Sequence, residues 1–152
     1  MIGKHNILSK KISLRDKKNF NTISKIYHKE LDKNYKFSKL WNKNNLRSKL
    51  QNKNLILEWI LINKDIVGFI MFEKFNKKHN INKKIFIRDF FILKKYRRKR
   101  IAFIALNKIL RKFKKMGYKN VEIEVLKSNL KVYKFWKKFN FKPKSLIYIK
   151  NI

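Results

Sequence analysis

The sequence predicts an α/β (α+β) fold, a mixed sheet with helices packed on it, and three observations predict it. Segments of strand-like character interleave with segments of helical periodicity in the order β-α-α-β-β-β-α-β-α-β. The chain has 152 residues, 44% hydrophobic and 14% aromatic, which is ample for a single core. No repeat, Ser/Gly-rich linker or composition break divides it, so residues 1–152 read as one domain.

Each element has its own signal. Ile7 to Leu14 is a short, edge-like first strand. Lys17 to Leu31 places Phe20, Ile23, Ile26, Tyr27 and Leu31 at helical spacing. Ser38 to Leu50 carries Leu40, Trp41, Leu46 and Leu50, as one helix or two short ones. Leu55 to Ile62 is a strand, Asn63-Lys64-Asp65 a tight turn, and Ile66 to Phe75 the returning strand. A polar loop from Asn76 to Lys84 leads to Ile85 to Leu93, the most strand-like stretch in the chain. After a basic turn from Lys94 to Arg100, Ile101 to Met116 is a helix with Ile101, Ile104, Ala105, Ile109 and Phe113 on one stripe. Gly117 follows where a left-handed cap is expected. Val121 to Leu126 alternates as a strand, with Glu122 and Glu124 on its outer face. Asn129 to Phe139 is a short helix, and Ser145 to Lys150 a last, exposed strand that could pair in a dimer. The chain is thus read as a monomer or homodimer. Trp41 and Trp59 are expected in the core.

Several function classes fall away. With no cysteine there is no disulfide framework, Cys-ligated zinc or thiol nucleophile. His5, His28 and His79 lack metal-ligand spacing, so no metal site is expected. No nucleophile elbow or Gly-rich phosphate loop occurs. Apolar runs such as Ile66 to Phe72 are far below the roughly 18–20 residues of a membrane span, and no secretory leader is evident. These absences set the expectation of a soluble, cytoplasmic protein without a membrane partner.

The net charge of +33 has two readings. Lys, Ile, Asn, Phe, Tyr and Met, the residues of A/T-rich codons, supply 96 of the 152 positions, whereas Gly, Ala, Arg and Pro supply 13. A biased genome explains that pattern without a ligand; a polyanion such as RNA or a ribosomal surface explains the charge with one. Locally the charge is more informative. Six of the seven residues from Lys94 to Arg100 are basic, and they lie between a strand and a helix. A helix N-terminus offers unpaired N–H groups and the positive end of its dipole, so this junction is either a diphosphate cradle or a solvated basic turn.

The segment from Asp89 to Ala102 resembles the acetyl-CoA-binding motif of the GCN5-related N-acetyltransferases. That loop reads Arg/Gln-x-x-Gly-x-Gly/Ala, and Arg97, Arg100 and Ala102 occupy its defined places. Ile66 to Met71 resembles the family's third strand, Gly117-Tyr118 followed by Val121 to Val125 its fifth, and Asn129 with Tyr133 to Phe141 its Asn…Phe-Tyr-x-x-x-Gly-Phe helix. Among branches, Val67-Gly68-Phe69 followed by Asp89 to Ile92 is most similar to the diamine acetyltransferases.

The resemblance implies a mostly antiparallel sheet whose central fourth and fifth strands splay to admit the pantetheine arm. Backbone near Phe91 and Ile92 would meet that arm. Amides of Arg97, Arg98, Lys99, Arg100, Ile101 and Ala102 would hold the pyrophosphate, and Asn129 would reach the cofactor from the next helix. The activity implied is transfer of an acetyl group from acetyl-CoA to a primary amine by direct attack. Candidate catalytic residues are Asp89, Tyr133 and Trp136. Trp136 stands where many members have a tyrosine that protonates the thiolate; an indole can donate a hydrogen bond but is not a useful acid. Tyr133, three residues earlier, either replaces it or packs. Arg88 stands where the diamine branch has a glutamate, and a guanidinium is no base. Strict alternation puts Asp89 on the face opposite Arg88. Arg100 replaces a motif glycine. These departures carry a second reading, a degenerate member that binds CoA or a polyanion without efficient turnover. Glu122 and Glu124 share one face of a strand and either act through water on an amine or form a solvent-facing pair.

Overall fold

The structure, a computed structural model, describes residues 6–31, 45–75, 83–125 and 130–144. In chain order its elements are β1 (Ile7–Lys11), α1 (Lys17–Leu31), α2 (Asn45–Gln51), β2 (Leu55–Ile62), β3 (Asp65–Phe75), β4 (Lys84–Ile92), α3 (Ile101–Lys115), β5 (Asn120–Ile123) and α4 (Leu130–Lys137). The strands form one sheet in the order β1-β2-β3-β4-β5. β1 to β4 run antiparallel, and β4 pairs with β5 in parallel. A parallel pair needs a crossover, which α3 supplies. The mostly antiparallel mixed sheet flanked by helices is as the sequence implied.

Local chemistry sets the element ends. β1 stops at Lys11 rather than Leu14 because Asp16 Oδ2 accepts from both the backbone N–H and the Oγ of Ser13, at 2.8 Å each. That capping box turns the chain through a 3-10 turn at Leu14–Asp16 into α1. Gly117 takes φ +83°, Tyr118 N–H reaches Phe113 O and Gly117 N–H reaches Lys114 O, so α3 closes as expected in a Schellman motif. Asn140, at φ +60°, ends the turn after α4 in the same way, with Phe141 N–H on Trp136 O. The helix expected from Ser38 is described only as α2. Trp41, most of the Asn76–Lys84 loop and the Ser145–Lys150 strand lie outside the described residues.

Both faces of the sheet are covered. On one, Phe20 and Ile23 of α1 and Leu46 of α2 pack on Leu57, Trp59, Phe69, Met71 and Phe91. On the other, Leu106, Ile109 and Phe113 of α3 and Trp136 of α4 cover Ile70, Phe72, Ile85 and Ile87. Ile101 and Ala105 seat the start of α3 on Ile60, Val67 and Ile92. Periodicity alone misassigned two positions per long helix. Ile26 and Leu31 are exposed, and on α3 Ile104 is exposed while Leu106 is fully buried. A stripe covers only about 100° of a helix, so an apolar residue one step off it faces water.

Candidate active site

Two irregularities in the sheet build the site. Gly68 is paired with Ile92, and a Cβ placed on Gly68 would lie 2.0 Å from Phe91 O. Only glycine lets β3 and β4 approach this closely. Farther along, Met71 pairs with Asp89 but Phe72 with Ile87, which leaves Arg88 as an extra residue in β4. This β-bulge changes the sequence expectation for Asp89. Arg88 donates from Nε to Glu73 Oε2 (2.8 Å) and lies over the Phe86 ring, while Asp89 accepts from Tyr27 of α1 (2.6 Å). Both side chains therefore sit on the face that α1 covers, because the inserted residue cancels one alternation.

β4 outruns β5, which leaves an opening beside its far end among the described residues. Their pairing covers Lys84 to Ile87 against Asn120 to Ile123, where β5 ends, whereas β4 continues to Ile92. Asp89 stands two residues past the last pair, at the start of the opening.

The basic turn fastens to the end of β4. Arg97 Nε donates to Ile92 O at 2.7 Å, its Nη2 meets Glu30 of α1 at 2.6 Å, and its guanidinium lies 5.2 Å from the Phe91 ring centroid. Its side chain is thus a clasp. Arg98 and Arg100 both adopt left-handed backbone, each with φ +59°. The first backbone bond of α3 runs from Ile104 N–H to Arg100 O, so the amides just ahead are left for outside acceptors. A left-handed residue followed by a right-handed one, as at Arg100–Ile101, turns successive N–H groups to one side and forms an anion-binding nest. Arg100 thus holds the conformation its glycine would, at a cost of about 1–2 kcal/mol. Its guanidinium lies 6.0 Å from the Phe103 ring centroid.

A family model described as Acetyltransferase (GNAT) family matches residues 20–141. The chain belongs to the GNAT acetyltransferase family. A search of curated proteins returned no match. Among solved structures, an aminoglycoside acetyltransferase, meta-AAC0020, from an uncultured soil metagenomic sample superposes with a TM-score of 0.77 at 13% identity, covering 100% of this chain and 99% of its own. A ribosomal-protein-alanine N-acetyltransferase from Brucella melitensis biovar Abortus 2308 does so at 0.76 and 14%, covering 97% and 100%. The aminoglycoside N-acetyltransferase AAC(6')-Iy in complex with CoA gives 0.72 and 12%, covering 97% and 95%.

The GNAT elements distribute the remaining candidate residues unevenly. Phe91 and Ile92 are buried, on opposite faces of β4. Trp136 is buried among Phe90, Phe135 and Phe141, with ring centroids at 5.2–5.8 Å. Tyr133 is 47% exposed, so it does not pack; the buried stripe of α4 runs through Phe135 and Trp136 instead. Asn129 lies outside the described residues. Glu122 is not a free surface carboxylate: Lys84 and Lys144 each reach it at 2.9 Å and hold it below the usual carboxylate range. Sequence reasoning placed Tyr27 only as a helix-stripe residue and missed Glu30 and Glu73. Their partners stand in other elements, up to 67 residues away, and no local spacing announces them. Among the described residues no group of three or more His, Asp or Glu could hold a metal ion, and no helix is long and apolar enough to cross a membrane.

Proposed function

We propose that this protein is an acetyl-CoA-dependent N-acetyltransferase acting on a primary amine in the cytoplasm. One observation carries the reading: the opening between β4 and β5 ends at a glycine-type left-handed turn ahead of α3, although arginine occupies that turn. The residues present fit the donor. Arg97 N–H is engaged by Lys94 O, which removes it from the set the sequence suggested, and the amides from Arg98 to Ala102, ahead of the first α3 bond, would hold a diphosphate, with Arg98, Lys99 and Arg100 adding long-range attraction. Backbone near Phe91 and Ile92 would flank the pantetheine arm, and Asn129 would reach it from the start of α4. When bound, acetyl-CoA supplies an acetyl group activated as a thioester.

The chain's own side chains handle protons. Asp89, at the start of the opening, accepts the proton of the incoming ammonium group. Tyr133, an exposed residue of α4, donates to the departing sulfur. Trp136 is enclosed by aromatic rings and shapes the wall against Phe90. The acceptor is an amine on a neutral or acidic molecule, or one beside a polyanion such as a ribosomal surface, since a chain of +33 repels free polycations at a distance. Arg88 does not add to that repulsion, because Glu73 pairs with it. The diamine-like segments Val67-Gly68-Phe69 and Asp89 to Ile92 therefore do not by themselves set the substrate. Within them, Gly68 is needed for the close β3–β4 approach.

Calorimetry with CoA, followed by an acceptor-dependent assay of thiol release from acetyl-CoA, tests the proposal. Saturable one-to-one binding and release that requires an amine are expected. A folded sample that binds no CoA overturns the donor; binding without release against a broad amine panel overturns the activity.

A further inference from the structure

We propose that Tyr27 is a positioning residue: its hydroxyl holds the Asp89 carboxylate in place at the mouth of the β4–β5 opening, set to receive the acceptor's proton. The inference rests on Asp89 as proton acceptor, as proposed above. Tyr27 Oη donates to Asp89 Oδ1 at 2.6 Å. The phenol ring is set edge-on against Phe69 (5.5 Å, 88°) and tilted against Phe91 (5.2 Å), so its hydroxyl is aimed by packing. Burial, with the adjoining carboxylate, pushes the phenol well above its ordinary pKa, so it remains a donor over the working range.

The choice of partner is informative in this chain. Every other buried or half-buried strand carboxylate is held by a cation: Glu58 by Lys112, Glu73 by Arg88, and Glu122 by Lys84 and Lys144. Asp89 is held by an uncharged phenol and forms no ion pair among the described residues. With 42 basic residues against 9 acidic ones, a cationic partner would be the common outcome. The charged and titratable groups around Asp89 are otherwise engaged. His28 of α1 is drawn below its ordinary pKa by burial and then by Lys49 of α2, against the pull of Asp89. β3 presents Met71, and its Glu73 is engaged by Arg88; Arg97 is engaged by Glu30. An ammonium group entering here would meet an anion. One of its protons passes to an Asp89 oxygen, the nitrogen keeps the electron pair, and Asp89 becomes a neutral acid.

The test uses Tyr27→Phe, which keeps the ring and its contacts. Tyr27→Phe should lower kcat about tenfold, the worth of one hydrogen bond to a charged group, while the KM for acetyl-CoA and the thermal midpoint stay close to those of the parent protein. Asp89→Asn should lower kcat further with CoA binding retained in calorimetry, and adding Tyr27→Phe to it should cost nothing more. A second loss in the double variant, or a Tyr27→Phe loss that comes with a lowered thermal midpoint, overturns the positioning role of Tyr27. Full turnover by Asp89→Asn overturns Asp89 as proton acceptor.

Discussion

Arg97 and Arg100 sit three residues apart in one basic turn and do different work. Arg97 spends its guanidinium on Ile92 O, Glu30 and the Phe91 ring, and so shapes the turn. Arg100 contributes mainly its backbone, held left-handed at φ +59°. This separates charge from conformation, which sequence reading had run together. The motif position was legible from Arg97 and Ala102, but the clasp was not, since Glu30 is brought there only by tertiary packing. Because left-handed backbone is costly for any residue with a Cβ, Arg100→Gly should be more stable than Arg100→Ala by about 1 kcal/mol. Urea denaturation of the two variants measures the difference directly, as both lose the Phe103 contact. Equal stabilities would show that the turn is relaxed in the folded protein.

Between elements, the β3–β4 pair determines the site more than any helix does. Its strands were readable as Ile66 to Phe75 and Ile85 to Leu93, and the observed bounds, Asp65–Phe75 and Lys84–Ile92, differ by no more than one residue at either end. The bulge at Arg88 was not readable, because alternation is a local rule and a bulge is decided by the partner strand. It puts Arg88 on the same side as Asp89, which ordinary alternation already places with Phe91 on the face that α1 covers. Gly68 marks the other end of the pair. Gly68→Ala should destabilise the protein by about 3 kcal/mol, the upper range for forcing atoms into packed structure, because the obstacle is the backbone carbonyl of Phe91. A change in thermal midpoint smaller than that of an ordinary surface substitution would show that the strands can separate at little cost.

Over the whole molecule, the charge of +33 acts as a background on which local pairing is superimposed. Self-repulsion opposes the compact state, and screening relieves it. Raising salt to about 1 M, where the Debye length is about 3 Å, should therefore raise the thermal midpoint while weakening CoA binding. Scanning calorimetry and titration at matched salt concentrations read the two trends; parallel trends would mean that the basic turn gains nothing from its charge. The fold class and the order of elements were legible because hydrophobic periodicity survives a biased composition. The pairing of the few acids was not, because it depends on which surfaces meet. The sparse glycines give that bias a measurable limit. Where only a left-handed turn is needed, Asn63, Arg98, Arg100 and Asn140 serve in place of glycine. At position 68, where a methyl group would collide with a carbonyl oxygen, glycine remains. Gly117 also remains, at φ +83° with open space around it, so of the described glycines it is Gly68 that marks a backbone contact no other residue could make.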